Sequence, residues 1–181
     1  MPIREGVSLA PHGKTTMTPW IFLQQQQVGA WAIGVGSAWQ ASVAMASGIQ
    51  RVLMANQLVG KANMQLISEL KNQYPQVDYL CCVDSIDNAH ALSAFFASKN
   101  QTLDILLELG VPGGRCGCRT AEQARVLAEA ISHLSALRLR AWSFTKACYT
   151  AITRSLKSKR CCARPPRWPV SLSATSKASL F

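Results

Sequence analysis

The sequence predicts an α/β protein built as part of a (β/α) barrel of the TIM type, with about five to six βα units. Three observations predict it. Short apolar runs alternate strictly with amphipathic helical patterns, at a spacing of about 25 residues that leaves little room for decoration. Several of the runs are apolar throughout, as strands buried on both faces tend to be. The polar residues collect just after the runs, at the carboxyl ends of the expected strands, where such barrels keep their chemistry.

The elements follow in order. The expected strands are Val7–Ala10, Trp31–Val35, Arg51–Ala55, Val77–Val83, Leu103–Leu109 and Leu137–Ala141, mostly bounded by Gly, Pro, Asn or Asp. Thr18-Pro19 reads as an N-cap with proline at the first helical position, opening a helix that runs to about Val28 and ends at Gly29. Ser37 caps Ala38–Ser47, which Gly48 ends. Lys61–Gln73 places Met64, Ile67, Leu70 and Lys71 on one face, and Pro75 stops it. Ser85–Ser98 carries Ala89, Leu92, Phe95 and Phe96. Thr120 precedes Ala121–Leu134, with Val126, Leu127, Ala130 and Ile131 expected to face inward. Six strands joined by five helices demand a parallel sheet. A complete barrel needs eight units and about 250 residues, so the rhythm, which stops near Leu139, is that of a partial barrel. A doubly wound open sheet is the structural alternative, though no Gly-x-Gly-x-x-Gly follows the first strand.

Composition narrows the function class. The chain of 181 residues carries a net charge of +10, which by itself suggests a nucleic acid or an anionic membrane. The charge is not spread evenly. Lys146, Arg154, Lys157, Lys159, Arg160, Arg164, Arg167 and Lys177 lie in residues 141–181, which hold no acid. Residues 1–140 keep 11 basic and 9 acidic residues, a net of +2, so the body is nearly neutral and nucleic acid is not its expected partner. No run approaches the roughly 18 apolar residues of a membrane span, and Met-Pro-Ile-Arg-Glu-Gly has no apolar signal core. The expected location is the cytoplasm. Seven cysteines match no zinc spacing, and the expectation is reduced thiols in core and loop.

The candidate chemistry starts at Leu-Ala-Pro-His-Gly-Lys-Thr-Thr-Met-Thr, residues 9–18. Lys14 ends an apolar run in a Pro-His-Gly turn, and a lysine amine held at a strand end can join an aldehyde cofactor or a carbonyl substrate. His12 is either a turn residue or a base. Asn56-Gln57, Asp84-Ser85, Glu108 and the loop Gly110–Arg119 follow later strands. Within that loop, Gly113-Gly114-Arg115-Cys116-Gly117 offers backbone N–H groups and a guanidinium, either as an anion seat or as an ordinary glycine-rich turn.

Four ordered motifs carry a resemblance: residues 9–17, Val52–Gly60 (Val-Leu-Met-Ala-Asn-Gln-Leu-Val-Gly), residues 82–88 (Cys-Val-Asp-Ser-Ile-Asp-Asn) and Leu107–Arg119 (Leu-Glu-Leu-Gly-Val-Pro-Gly-Gly-Arg-Cys-Gly-Cys-Arg). Together they resemble the D-serine dehydratase and D-threonine aldolase family, in the Val-Pro-Gly-Gly-Arg form of its bacterial amino acid deaminase branch, over roughly residues 6–141. The resemblance implies an alanine-racemase-like barrel followed by a β domain, with pyridoxal 5′-phosphate (PLP) as cofactor. It implies that Lys14 carries the cofactor and is the catalytic residue, that Arg115 lies near its ring, and that His12 and Asn56 line the pocket. The implied substrate is a β-hydroxy amino acid of the D-serine or D-threonine type, deaminated to a keto acid and ammonia. Retro-aldol cleavage of the D-threonine aldolase kind is the alternative, and a non-catalytic module with a nucleic-acid-binding tail is the alternative from another class. Some relatives of this kind use a divalent metal; its ligands, with most phosphate contacts, would come from later barrel strands and the C-terminal domain, and none is assigned here. A homodimer is the form expected at full length.

The domain reading follows from these patterns: residues 1–140 form the partial PLP-binding barrel and residues 141–181 a basic, aberrant tail. Ala141–Cys162 can be encoded so that skipping two bases yields Val-Glu-Leu-Tyr-Glu-Gly-Val-Leu-His-Gly-Asp-His-Pro-Glu-Pro-Glu-Val-Gln-Ala-Leu-Leu. That peptide starts as a strand and continues into an acidic helix start, which the helix macrodipole favours. A frameshift near Arg140 is the expectation. The N-terminus is also short for the family, which usually has a further helix and strand before the lysine.

Overall fold

A computed structural model describes residues 8–144. Its elements are α1 (Pro19–Gln27), β1 (Ile33–Val35), α2 (Ala38–Ala46), β2 (Arg51–Gln57), α3 (Lys61–Gln73), β3 (Asp78–Val83), α4 (Ile86–Ser98), β4 (Leu103–Leu109), α5 (Ala121–Ser132) and β5 (Leu137–Phe144). The sheet is parallel throughout, in the order β1-β2-β3-β4-β5. Sequential order with a helix at every crossover is the topology of a curved barrel segment; a doubly wound sheet reverses its order at a switch point.

Capping by side chains fixes three of the helix starts. Ser37 accepts from Gln40 N–H at 3.2 Å, Ser85 from Asn88 N–H at 3.3 Å, and Thr120 from Gln123 N–H at 3.1 Å. Thr18 departs from its expected role. It occupies the N-cap position, but its hydroxyl donates backwards to the Thr16 carbonyl at 3.0 Å, and Pro19 already removes one of the donors a cap would serve.

Strand alternation divides the core. Val52, Met54, Tyr79, Cys81, Val83, Leu103, Ile105 and Leu107 point outward and pack with Phe22, Ala41, Met45, Ile67, Leu92, Phe96, Leu127 and Ile131 from the helices. Leu80, Cys82, Leu106 and Ala141 form a second, smaller cluster on the inner face, with Trp31 and Leu53 against it. These four inner-face side chains are buried. On α5, Leu127 and Ile131 face inward as expected, but Val126 is exposed; Ala124 takes the inward place three residues before Leu127.

Charge sits at the amino end of the same inner face. Asp104 is nearly buried and takes Arg138 at 2.7 Å and Arg140 at 3.5 Å. Arg51 reaches Asp78 at 2.7 Å and lies 4.7 Å over the Trp31 ring. Arg138 and Arg140 share one side of β5 by ordinary alternation, and the β4–β5 register slip between Ile105 and Leu106 brings the next residue, Ala141, onto that same inner face opposite Leu106.

Two boundaries differ from expectation. Residues 8–10 of the first expected strand form no strand, and residue 7 lies outside the described residues. The segment still runs beside β1: Trp31 N–H donates to Leu9 O (2.8 Å), Gly34 N–H to Pro11 O and Gly13 N–H to Gly34 O (both 2.7 Å). Pro11 has no N–H, so the ladder stays a single parallel bridge at His12. At the other end, β5 continues past residue 140 to Phe144; most of the expected tail lies outside the described residues. Among the described residues no helix is long and apolar enough to cross a membrane.

Phe96 is fully buried at the meeting of α4 with the sheet. Phe96→Ala is expected to lower stability by about 3–5 kcal/mol, read as a shift of the urea midpoint without a change in slope.

Candidate active site

The lysine turn is held by backbone on one side and by side-chain packing on the other. Gly13 N–H donates to Gly34 O, and Met17 N–H closes the turn onto Gly13 O at 2.9 Å. A Cβ on Gly13 would fall 2.5 Å from the Phe22 ring and 2.9 Å from Ile33, so only glycine fits there. The next residue, Lys14, therefore leaves the body in a fixed direction and reaches solvent at the carboxyl end of the sheet.

β1 accommodates the two basic side chains. Ile33 and Val35 are buried against the helices, and the alternate positions are Gly34 and Gly36. A Cβ at Gly34 would lie 2.9 Å from His12 Nδ1, and one at Gly36 would lie 3.6 Å from Lys14 Cδ. The imidazole and the lysine stem thus lie over bare backbone. Partial burial, and next the charge of Lys14, lower the His12 pKa from its ordinary value, which keeps the ring neutral at neutral pH.

Gly36 links the strand ends. Its N–H donates to Gln40 Oε1 at 2.8 Å, and Gln40 Nε2 donates to Lys14 O at 3.4 Å. Its carbonyl accepts from Asn56 Nδ2 at 3.2 Å, and Asn56 Oδ1 accepts from Arg115 Nη2 at 3.3 Å. One residue, Gly36, therefore joins Lys14, Asn56 and Arg115, three of the four residues singled out in the sequence. His12 stands beside them on Gly34. Gln40 and Gly36 were not singled out, although a glycine followed four residues later by a glutamine, across a serine cap, is a visible pattern.

In the loop Gly110–Arg119, several donors have partners in the protein. Gly110 N–H goes to Cys118 O at 2.9 Å, Gly114 N–H to Val111 O at 2.8 Å and Gly117 N–H to the Asp84 carboxylate at 2.8 Å. The Arg119 guanidinium donates to Val111 O, Cys116 O and Gly114 O at 2.7–2.9 Å. The Gly110, Gly114 and Arg119 donors are used within the loop, and that of Gly117 by Asp84.

Behind it, buried Glu108 accepts from Gln57 Nε2 at 2.7 Å and from the Cys116 thiol at 3.1 Å. Burial and Glu108 push Cys82 up to about 12 and Cys116 up to about 11, and burial leads the rise at Cys81 and Cys118. All four are free thiols, as expected, and the described residues hold no cluster of three or more His, Cys, Asp or Glu fit for a metal. The large concavity, about 410 Å³ and lined by Trp31, Leu53, Leu80, Asp104 and Phe144 among others, lies on the inner face and includes none of Lys14, Asn56 or Arg115.

Comparison with known proteins places the fold and the sequence. The chain is 33% identical over 125 residues to D-threonine aldolase of Arthrobacter sp., covering 69% of this chain and 32% of that protein. The chain is homologous to part of D-threonine aldolase. Among solved structures, D-threo-3-hydroxyaspartate dehydratase of Delftia sp. HT23 superposes with a TM-score of 0.67 at 26% identity, covering 77% of this chain and 36% of that one. Alanine racemase of Clostridium difficile 630 superposes with a TM-score of 0.68 at 11% identity, over 78% of this chain and 38% of that one, and supports the fold alone. No protein-family model matches. The chain spans about a third of the length of the D-threonine aldolase and the dehydratase, and its five parallel strands correspond to a partial alanine-racemase-like barrel.

Three glycines separate by sterics. Gly13→Ala is expected to destabilise by about 1–3 kcal/mol through overpacking. Gly34→Ala displaces the His12 ring and Gly36→Ala is tolerated; thermal melts and the His12 NMR titration read both. A second expectation concerns the thiols. They hold protons more tightly in the folded than in the unfolded chain, so their contribution is intact below about pH 9 and falls as pH climbs toward the raised values. At pH 8, alkylation mapped by mass should spare Cys81 and Cys82 until denaturant is added.

Proposed function

We propose that the chain carries the lysine-bearing part of a PLP-dependent lyase acting on a β-hydroxy D-amino acid of the serine or threonine type. The observation that supports this reading best is the convergence of Lys14, Asn56 and Arg115 on Gly36 at the carboxyl end of the sheet. These residues suit PLP. Lys14 offers a solvent-accessible amine, its stem runs over a glycine that leaves space, and Arg115 is tied to the same strand end.

When bound, PLP would supply an electron sink that stabilises negative charge at the substrate Cα. Lys14 would hold the cofactor, and its ε-amine, when free, would serve as the base for the Cα proton. His12, held neutral beside it, adds no positive charge to the lysine turn. Asn56 orients Arg115. In the deaminase route the elements of water leave across Cα and Cβ, and the resulting enamine hydrolyses to a keto acid and ammonia. In the second reading the Cα–Cβ bond breaks instead, releasing an aldehyde and glycine; the 33% identity to D-threonine aldolase favours keeping it.

We also propose that the coding frame changes next to codon 140, so that residues 141–181 are not the family's continuation. One base restored there makes the shifted peptide Val-Glu-Leu begin at position 142. Trp142 pairs with Leu107 and packs toward the main core, a place a valine fills. The following glutamate would stand opposite Glu108, the one added like charge. Genomic DNA around that codon decides: bases that cannot encode the acidic peptide in the alternate frame overturn the proposal.

Incubating the 181-residue chain with PLP, reducing with borohydride and mapping peptides should place a pyridoxyl group on Lys14, and Lys14→Ala should remove it. In a frame-restored chain, a panel of D-serine, D-threonine and their L-forms separates keto acid from aldehyde release. As written, the chain is expected to hold PLP weakly and turn over little.

A further inference from the structure

Resting on the PLP reading of Lys14, we propose that Gln40 is a positioning residue: its side-chain amide holds the Lys14 turn against the end of β1 and so sets where the ε-amine meets the cofactor aldehyde. Gln40 is in the first turn of α2, and α2 is fastened to the body through Ala38, Ala41, Ala44 and Met45, all buried. Its backbone N–H is already used by the Ser37 cap, which leaves the side-chain amide to serve the site. That amide has two ends and each has a partner. Oε1 accepts from Gly36 N–H at 2.8 Å, at the point where β1 has run out of ladder partners, and Nε2 donates to Lys14 O at 3.4 Å across 26 residues of sequence.

The Lys14 turn has few other restraints on that side. Its hydrogen bonds to β1 stop at Gly13, one residue earlier, and the closing bond from Met17 is internal to the turn. Gln40 is thus the contact that carries β1 and α2 geometry past Gly13 to the lysine itself. Because Gly36 also accepts from Asn56, which receives Arg115, displacement of the Gln40 amide changes the spacing between the amine and the guanidinium and leaves the core untouched.

Gln40→Glu separates the two bonds: a carboxylate still accepts from Gly36 N–H but turns an acceptor toward the Lys14 carbonyl. Gln40→Met keeps the length and removes both. Each variant, as the full chain, is incubated with PLP and reduced with borohydride. The amine displaces the aldehyde oxygen as water, and hydride then fixes the secondary amine for peptide mapping. Labelling at Lys14 should fall about three- to tenfold, the effect expected of one neutral hydrogen bond, while labelling at Lys61, Lys71 and Lys99 stays at the parent level. Hydrogen exchange is expected to quicken in a peptide spanning Gly36 in Gln40→Met and to stay slow in Gln40→Glu. Lys14 labelling equal to the parent in both variants overturns the proposal, and so does an equal change at all four lysines, which would report general loosening. A parent chain that takes no label on Lys14 overturns the PLP reading itself, and this inference with it; that outcome is read before any variant is made.

Discussion

Gly34 is bonded through both of its backbone groups to a stretch of chain that is not a strand. Its N–H goes to Pro11 and its carbonyl takes Gly13. That pair of bonds fixes the Pro-His-Gly turn on the edge of the sheet, and Phe22 with Ile33 closes on Gly13 from the core side. Everything at the candidate site is referenced to this anchor. His12 lies over Gly34, Lys14 follows Gly13 by one bond, and Gly36 extends the strand to Gln40, Asn56 and Arg115. The lysine needs no rigid side chain of its own, because the peptide before it cannot move without disturbing a well-packed phenylalanine.

The sheet separates two kinds of work. Its outer face is apolar and joins all five helices into one core. Its inner face is layered: ion pairs at the amino end, a small apolar belt in the middle, and Gln57, Glu108 and thiols toward the carboxyl end. Such layering belongs to barrels filled by side chains rather than pierced by a pore. The raised thiols fit this division. Cys81 points into the outer core and Cys82 into the inner belt, so each holds its proton for lack of water.

Much of the fold was legible because its determinants are local. Ser37, Ser85 and Thr120 each stand one residue before a helix and do what their hydroxyls suggest, and Lys61–Gln73 runs between the residues its periodicity marks. The failures are long-range. Nothing near Val7–Ala10 says that Pro11 leaves the neighbouring strand one donor short. Nothing near Leu139 says that a register slip will set Ala141 on the inner face directly after Arg140. In the site, Lys14, Asn56 and Arg115 could be named from motifs, but their meeting through Gly36 depends on a glutamine amide that has no chemistry of its own. The glycine-rich loop stayed open between an anion seat and an ordinary turn for a related reason: its amides are visible in a sequence, and the carbonyls and the carboxylate that use some of them are not.

Arg119 has a consequence of a different kind. Its guanidinium is encircled by three carbonyl oxygens of its own loop, a planar fork that lysine's single ammonium does not reproduce. The loop is folded around a cation much as other loops fold around a bound ion, except that here the ion is covalently supplied and never dissociates. Its shape is thus held by groups the chain itself supplies, so that Arg115, four residues earlier, stands at the site with no ligand bound.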